Sequence, residues 1–367
     1  MKIKNLLKNF EEKWCKMMGF FNPYIDPFDI WLSPDIPIND VVAFNQNPDY
    51  EFIYDKLWVA KSQDLKCGEL ENFNKARFPI FIKPRWGHKT SSSRDCYKIN
   101  NFLQLKPFLA KKDMMWSEFI SDKEQMTDYV LVNGRIVHQI TYTYSESVDG
   151  ISDAWKLISV DNKPPYEVTK WTTNILKEYT GVANIQYRGN KIIEAGLRLA
   201  RGGAYILNAQ NYKLIDNINQ LYTNNNWNFS NKTYDFKPFY AFKCYLKGPL
   251  LYVLPQYIMD FIMRKFSCMP FYEYYFEANG KNKVCFFQFM HNDFKIGTKT
   301  QKLIENIFHF IQKLFIFCIP IIIAGFLYNK KIGFALFIIV FLLFLTRLLN
   351  PIYVQESMFK LHKVRLF

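Results

Sequence analysis

The chain has 367 residues, a formal net charge of +14, and a composition that is 49% hydrophobic and 18% aromatic. This length and apolar content allow a sizeable core in one large or two ordinary domains. The basic residues are scattered and no zinc-finger or other nucleic-acid motif is present, so we expect no nucleic-acid partner. Solvated lysines or contact with anionic lipid would account for the charge. The seven cysteines lack a C-x-x-C spacing, which argues against a zinc site and a disulfide framework.

Residues 1–76 read as a short lead-in whose first half is broken by four prolines. Within this segment, Tyr54–Gln63 is predicted to be a helix. The sequence pattern that follows predicts a strand at Pro79–Lys83, a polar loop, a helix through Ile99–Leu109, and a strand that ends at Ile120.

A β-hairpin is predicted over residues 126–145, because alternating apolar segments flank Asn133-Gly134, the strongest short-range hairpin signal. A helix at 167–180 follows, and then strands at 181–187 and 191–194 joined by a tight turn. Antiparallel strands with helices packed on them indicate an α+β fold.

The C-terminal part differs in kind, since residues 314–329 and 332–346 are uncharged and strongly apolar, with Lys330-Lys331 between them. We predict a two-helix transmembrane hairpin over 301–350, followed by a basic tail at 351–367. The alternative is a buried helical pair in a soluble core. Each uncharged run spans about 22–24 Å, short of a ~30 Å hydrocarbon core, so whether the hairpin spans the bilayer or only dips into it stays open.

A candidate phosphate ligand is Lys83, which ends an apolar strand directly before Pro84. Its ammonium should therefore lie at the exit of the strand, where phosphate could pair with it. The loop that follows contains Ser91 and Ser92 and offers hydroxyl and backbone N–H groups, as phosphate-covering loops do. A snorkelling surface lysine is the alternative for Lys83.

A second group of polar residues comes later in the chain. Gln186 and Glu194 lie on neighbouring predicted strands and could face one side, where oxygen ligands suit Mg²⁺ between phosphates. Arg198 and Arg201 precede a Gly-Gly turn and could stabilise charge on a transferring γ-phosphoryl group and on an acyl phosphate. Ordinary salt bridges are the alternative for both arginines.

Between these groups, a strand leaving one lobe with Glu118 could present backbone groups to an adenine edge. Glu124 sits where a carboxylate could accept ribose hydroxyls. Solvated loop acids are the alternative for Glu124 and Asp128.

Taken together, these motifs resemble the ATP-grasp superfamily, particularly its carbamoyl-phosphate synthetase-like, carboxylate–amine ligase branch, over about residues 50–210. The motifs are Phe81-Ile-Lys-Pro84 with its Gly/Ser loop, Trp116-Ser-Glu-Phe-Ile120, Glu124-x-x-x-Asp128, Tyr179-Thr-Gly-x-x-Asn-Ile-Gln186, and Glu194-x-x-x-Arg198-x-x-Arg201-Gly-Gly. Single motifs are degenerate, but five in this order are fairly specific. The resemblance implies two lobes of antiparallel sheet plus helices that clamp a nucleotide.

The resemblance also implies ATP and Mg²⁺ as cofactors. The implied nucleotide ligands are Lys56, Lys83, Ser91, Ser92, Glu118, Phe119, Ile120 and Glu124; the implied metal ligands are Gln186 and Glu194; and the implied catalytic residues are Arg198 and Arg201. Within this set the lysines would bind phosphates, residues 116–119 would form the adenine hinge, and Glu124 would hold the ribose. Such enzymes phosphorylate a carboxylate and then let an amine attack the acyl phosphate.

Two features depart from the family pattern. Members usually carry Asn two residues after the metal-binding Glu, and this chain has Gly196 there. Water, Asn208 or Gln210 could replace that contact, or the protein binds nucleotide and turns over poorly. The region before the ATP-grasp domain is also shorter than in most relatives, which leaves the acceptor site unassigned.

We therefore expect a membrane-anchored ligase of the ATP-grasp type that acts on a small carboxylate and an amine, with lipid contact through 314–346. The ATP-grasp domain would occupy 77–300, with its core motifs in 77–210, on the cytosolic side where ATP is available. The alternatives are a nucleotide-binding protein that has lost turnover and a membrane scaffolding protein without a nucleotide site. The donor acid, the acceptor, the membrane and the oligomeric state stay open.

Overall fold

The chain divides into two compact units, Phe28–Tyr240 and a second comprising Ala241–Phe367 with Met1–Pro27. The computed structural model describes residues 32–37, 39–89, 95–144, 147–148, 151–152, 154–159, 163–200, 206, 212–230, 234, 239–247, 256–271 and 283–339. Ser91, Ser92 and Arg201 therefore lie outside the described residues.

Two short helices come first in the described part of the chain. They are α1 (Asp40–Gln46) and α2 (Lys56–Lys61). The carboxylate of Asp55 caps α2 by accepting a hydrogen bond from the backbone N–H of Leu57 at 3.0 Å, which satisfies a donor that the helix itself leaves unpaired. The helix predicted at Tyr54–Gln63 is thus confirmed, but it begins at Lys56.

A four-stranded antiparallel sheet follows, in the order β1-β4-β2-β3. Its strands are β1 (Cys67–Glu69), β2 (Ile80–Pro84), β3 (Tyr97–Ile99) and β4 (Met114–Glu118). Ile80, Ile82 and Trp116 are buried in one cluster, because alternate side chains of neighbouring strands share a face of the sheet. The strand predicted at Pro79–Lys83 is confirmed as β2, which delivers Lys83 at its end.

The helix predicted through Ile99–Leu109 is wrong at its start and shorter than expected. Ile99 belongs to β3, where it pairs with Ile80 of β2. Only α3 (Phe102–Leu105) is α-helical, and a 3₁₀ turn that contains Pro107 follows it. Proline has no N–H to donate within an α-helix, which accounts for the early end.

The rest of the first unit is built on a larger antiparallel sheet, whose strands in this unit run in the order β11-β10-β5-β6-β9. The strands are β5 (Glu124–Val132), β6 (Arg135–Tyr144), a short pair β7 (Ser147–Val148) and β8 (Ile151–Ser152), β9 (Ala154–Ser159), β10 (Gly181–Arg188) and β11 (Lys191–Gly196). The predicted hairpin is confirmed: β5 and β6 meet at Asn133 and Gly134, whose φ angles of 48° and 72° are left-handed. The two predicted strands after residue 180 are confirmed as β10 and β11.

The two faces of this sheet have different chemistry. On one face, Tyr129, Ile185 and Tyr187 belong to the main buried cluster of the unit, together with residues of a helix. The helices here are α4 (Tyr166–Ile175), predicted at 167–180, and α5 (Tyr212–Asn224). By strand alternation the opposite face bears Asp128 and Gln186. Antiparallel sheets with packed helices confirm the α+β class.

The second unit contains three more strands in the order β12-β14-β13, of which β13 and β14 pair antiparallel. Its elements are β12 (Tyr240–Lys247), which starts at the boundary, α6 (Gln256–Lys265), β13 (Met269–Phe271), β14 (Lys283–His291) and α7 (Phe294–Tyr328). The first half of α7 packs against its own unit, because Thr300, Ile304 and Phe308 form a buried stripe at i, i+4 spacing.

The second half of α7 is apolar and exposed. Its most apolar 18-residue window has a mean hydropathy of 2.3, and only 6% of that window is buried. Large side chains such as Phe317 and Ile323 are more than half exposed. Among the described residues this is one helix whose length and composition suit a membrane span.

A helical segment at 330–339 continues the chain after α7. Asn329 starts it by accepting a hydrogen bond from the Lys331 backbone N–H at 2.9 Å. The two segments approach closely at a pair of glycines, since a Cβ on Gly325 would lie 3.3 Å from the Cα of Gly333. Residues 340–346 lie outside the described part, so a second helix of spanning length, and hence the full predicted hairpin, is not shown.

Candidate functional site

Two buried lysines are brought together by the segments that bear them. Lys56 is the first residue of α2 and Lys83 is the last residue but one of β2, and both are buried. The backbone N–H of Lys56 donates to the carbonyl of Arg85 at 2.9 Å. The guanidinium of Arg85 also donates to both carboxylate oxygens of Asp55 at 2.9 and 2.6 Å. The start of α2 and the residues after β2 are thereby fixed to each other.

Strand β11 brings the third charged group to this place. The Lys56 ammonium lies 3.2 Å from a carboxylate oxygen of Glu194. The Lys83 ammonium donates a hydrogen bond to the backbone carbonyl of Ile193 at 2.6 Å. Lys56, Lys83 and Glu194, predicted to share a site, therefore converge. The Lys56 side chain is 6% exposed and that of Glu194 is 29% exposed, so the carboxylate is the member that solvent or a ligand can reach.

The charges of this cluster are unevenly compensated. Burial lowers the pKa of Lys83 to about 8, and the nearby positive charge of Lys56 acts in the same direction. Burial is the largest single influence on Lys56 and opposes its charge, but Glu194, together with smaller effects from Cys96 and Asp40, raises the pKa of Lys56. The pKa of Glu194 is lowered because the lysines overcome the effect of its burial. The Glu194 carboxylate thus compensates the charge of Lys56 well and that of Lys83 poorly.

A fourth predicted residue, Arg198, lies beside this cluster in an ion pair. Its guanidinium donates to both carboxylate oxygens of Asp40, from Nε at 3.0 Å and from a terminal nitrogen at 2.8 Å. Burial opposes the Arg198 charge, but Asp40 and then Glu194 raise its pKa. The ammonium groups of Lys56 and Lys83 and the Arg198 guanidinium share the cluster with the carboxylates of Glu194 and Asp40, so these five groups carry a formal charge of +1 when all are ionised.

The loop that bears Arg198 is held by a buried carboxylate. Asp128 of β5 accepts hydrogen bonds from the side-chain amide of Asn184 at 2.8 Å and from the backbone N–H of Ala200 at 2.9 Å. The alternative of a solvated loop acid is therefore wrong for Asp128, which is 2% exposed. Burial raises its pKa to about 6, although these two hydrogen bonds act in the opposite direction.

The predicted metal ligands lie side by side. Gln186 of β10 is the direct cross-strand partner of Glu194 of β11, which puts both side chains on the polar face of the sheet. A carboxylate and an amide carbonyl are hard oxygen donors of the kind that Mg²⁺ prefers, so this donor set fits that ion. Among the described residues, no cluster of three or more His, Cys, Asp or Glu side chains could hold a metal. A magnesium ion in a nucleotide site needs fewer ligands from the protein, since the phosphates supply further oxygens.

The start of the predicted phosphate loop lies against the same cluster. A Cβ on Gly87 would be 3.5 Å from Cε of Lys56 and 3.6 Å from Oε1 of Glu194. The next residue, His88, stacks its ring on Phe44 of α1 with the centroids 3.8 Å apart. The loop is thus anchored where it approaches the charged residues.

The predicted adenine segment lies at the end of β4, and its backbone is partly engaged. The N–H of Glu118 donates to the carbonyl of Lys66 at 2.8 Å, and that of Phe119 to the carbonyl of Pro79 at 3.4 Å. The carbonyl of Ile120 accepts from Arg188 at 3.4 Å. These contacts fix the segment in place and leave fewer of its backbone groups for an adenine.

Glu124, predicted to hold the ribose, forms an ion pair. Nε and Nη2 of Arg188 donate hydrogen bonds to Oε2 of Glu124 at 3.2 and 2.7 Å. The ribose role of Glu124 stays a prediction.

Sequence reasoning missed two residues that shape this site. Arg85 orients both lysine segments, and Asp40 pairs with Arg198, but neither belongs to a recognisable motif. The only local signal for Asp40 is its place in the first turn of α1, after the capping Asn39, and that signal is structural.

Comparison with known proteins gives a fold but no close relative. No protein family and no curated protein matches the sequence. Carboxyaminoimidazole ribonucleotide synthase from Aspergillus clavatus, complexed with ATP, matches the structure with a TM-score of 0.52 and 10% identity, over 72% of this chain and 78% of that chain. L-amino acid ligase from Bacillus licheniformis matches with a TM-score of 0.47 and 12% identity, over 72% of each chain. At such identities the first match shows the ATP-grasp fold alone.

The raised pKa of Asp128 predicts a pH-dependent stability. Below about pH 4 the Asp128 carboxyl is neutral in both the folded and the unfolded protein. As pH rises through about 6, the stability that the neutral buried acid contributes is lost, because the folded protein then holds a buried charge. A shift of about two units corresponds to about 3 kcal/mol. Asp128→Asn keeps an acceptor oxygen but cannot ionise, so its stability relative to the parent should rise between pH 4.5 and 7.5.

Thermal midpoints of the detergent-solubilised full chain at both pH values measure this difference. Asp64→Asn, at an exposed position, serves as the control and should parallel the parent. Equal pH dependence of Asp128→Asn and the parent would contradict the assignment.

Proposed function

We propose that this protein is an ATP- and Mg²⁺-dependent ligase of the ATP-grasp type, which activates a carboxylate as an acyl phosphate and passes the acyl group to an amine or similar nucleophile. The motif order supports the carbamoyl-phosphate synthetase-like branch. The single observation that carries the proposal is the convergence of Lys56, Lys83 and Glu194 on one face of an ATP-grasp fold.

The electrostatics favour a polyanionic ligand. A buried ammonium whose charge is poorly compensated is costly, as the lowered pKa of Lys83 records. A triphosphate would supply the missing negative charge to Lys56, Lys83 and Arg198. When Lys56 turns to a phosphate, Glu194 becomes available for another cation.

Glu194 and Gln186 are the residues that would hold Mg²⁺. When bound, the ion would neutralise negative charge on the phosphates during transfer. The chain's own part is to position these two oxygen donors, through the pairing of β10 with β11, beside the lysine pair.

In the proposed reaction, a carboxylate oxygen of the substrate attacks the γ-phosphorus and the bond to the β–γ bridging oxygen breaks, so that ADP leaves. The amine lone pair then attacks the acyl carbon, the bond to the phosphate oxygen breaks, and the amine proton is lost. Arg198 would stabilise the charge on the transferring phosphoryl group, held in orientation by Asp40. Arg201 stays a prediction for the same role, as do Ser91 and Ser92 for phosphate binding.

A nucleotide-binding protein without turnover is the second candidate. The observation that favours it is Gly196, which offers no side-chain oxygen two residues after Glu194.

We further propose that α7 and the residues after it, over 314–346, anchor the protein to a membrane, with the nucleotide site on the cytosolic side. The exposed apolar surface of α7 supports contact with lipid, because water-exposed apolar surface of this extent is unusual in soluble proteins. The assignment of 77–300 to the ATP-grasp domain, 1–76 to a reduced lead-in and 301–350 to the membrane hairpin is part of the same proposal.

Turnover is the direct test of the ligase. Purified protein with Mg²⁺ and ATP should release phosphate only when a suitable carboxylate and amine are both present, across a panel of amino acids. Arg198→Ala should lower kcat more than nucleotide affinity, if the arginine acts mainly in the transition state. Nucleotide binding with no phosphate release from any pair would favour the second candidate.

Lys83→Met should weaken ATP binding by tenfold or more, because a buried phosphate would lose its cation. Calorimetric titration with a non-hydrolysable ATP analogue measures the affinity. Lys112→Met, at an exposed lysine of the same unit, is the matched control and should bind as the parent does. Unchanged affinity in Lys83→Met would remove Lys83 from the site, and no binding by the parent at millimolar analogue would favour a scaffolding protein.

Membrane anchoring predicts that the full chain stays in the membrane fraction after an alkaline carbonate wash. Replacing Phe317 and Ile323, both exposed on α7, by Arg should release it, since each arginine near the centre of a span costs about 2.5–3.5 kcal/mol. Leu103→Arg, at an apolar side chain exposed in the first unit, should have no effect. Release of the parent by the wash would contradict a transmembrane anchor.

A further inference from the structure

The backbone at Gly196 leaves space that another residue fills. Gly196 lies two residues after Glu194 on β11, so a side chain there would point to the same face as the Glu194 carboxylate. A Cβ at Gly196 would lie 2.6 Å from Oδ1 of Asp40, a separation that non-bonded atoms do not adopt. The lack of a side chain at 196 is therefore what admits the Asp40 carboxylate to this place.

Asp40 is held firmly but keeps binding capacity. It begins α1, and Phe44 of the same helix stacks on His88 of the loop after β2. Arg198 donates one hydrogen bond to each Asp40 oxygen, and each oxygen of a carboxylate has a further lone pair. The Asp40 side chain is 20% exposed, so a ligand can reach it.

Asp40 and Glu194 share one electrostatic environment. Both carboxylates raise the pKa of Lys56 and that of Arg198, which places both near the same two cations. Magnesium in nucleotide sites is commonly held by one or two protein carboxylates together with substrate phosphates. Glu194 supplies one such carboxylate, and Asp40 is the next at hand.

We propose that Asp40 is a magnesium ligand of the nucleotide site, delivered by α1 into the space that Gly196 leaves open. The inference rests on the proposed function, since it presumes a magnesium nucleotide beside Glu194. A carboxylate from a separate element thereby supplies the oxygen that the strand itself lacks. The rival role for Asp40 is to orient Arg198 without touching the metal.

A swap of the two positions separates these roles. The full chain is compared with Asp40→Ala, Gly196→Asn, the double variant Asp40→Ala/Gly196→Asn, and Arg198→Ala. The control is Asp49→Ala, at an exposed acid nearby in sequence. Each protein is titrated with a non-hydrolysable ATP analogue in Mg²⁺ and in EDTA, and the ratio of the two affinities is recorded. Direct Mn²⁺ binding in the presence of the analogue is followed by electron paramagnetic resonance.

We expect Asp40→Ala to lower the metal-dependent ratio by tenfold or more and to weaken Mn²⁺ binding, with affinity in EDTA little changed. The double variant should regain most of both, because an Asn at 196 then has room and offers an oxygen. An unchanged ratio in Asp40→Ala, with equal loss in Mg²⁺ and EDTA as in Arg198→Ala, would overturn the inference and leave the proposed function standing. No analogue binding by the parent would overturn both. Thermal unfolding of each variant confirms folding, and the double variant decides the matter if Asp40→Ala does not fold.

Discussion

The site depends on two buried ammonium groups that share one carboxylate. Lys56 lies 3.2 Å from a Glu194 oxygen, whereas the Lys83 ammonium donates to a backbone carbonyl at 2.6 Å and its pKa is lowered to about 8, although the charge of Glu194 acts in the opposite direction. Burying a charge is tolerated when an opposite charge compensates it, and here one carboxylate compensates two ammonium groups incompletely. The poorly compensated charge of Lys83 is the physical basis of our proposal that this fold binds a phosphate anion here.

Ion pairs and buried hydrogen bonds keep this arrangement in place. The Arg85–Asp55 pair joins α2 to the end of β2, and Asp128 ties the loop after β11 to β5 through the N–H of Ala200. Each contact joins segments far apart in sequence, so the cluster exists only in the folded unit. The second unit adds a different property, a helix whose second half exposes apolar side chains.

Local patterns predicted the parts of the fold that local physics determines. Asn133-Gly134 predicted the β5–β6 hairpin because both residues tolerate a left-handed backbone. The helix at 99–109 was mispredicted because pairing of Ile99 with Ile80 is a tertiary contact that no periodicity reveals. The convergence of Lys56, Lys83 and Glu194 followed from motif order, but Asp40 carried no functional signal, since its partner Arg198 lies far along the chain. The charged neighbours of Lys56 and Lys83 likewise come from distant parts of the chain, so local sequence patterns cannot reveal them.

The most direct measurement is an experimental structure of the full chain with Mg²⁺ and a non-hydrolysable ATP analogue. We predict phosphate oxygens within hydrogen-bonding distance of the Lys56 and Lys83 ammonium groups, and a metal ion bound to the Glu194 carboxylate. A nucleotide bound elsewhere, with the Lys56–Glu194 pair intact and the lysines away from any phosphate, would contradict it.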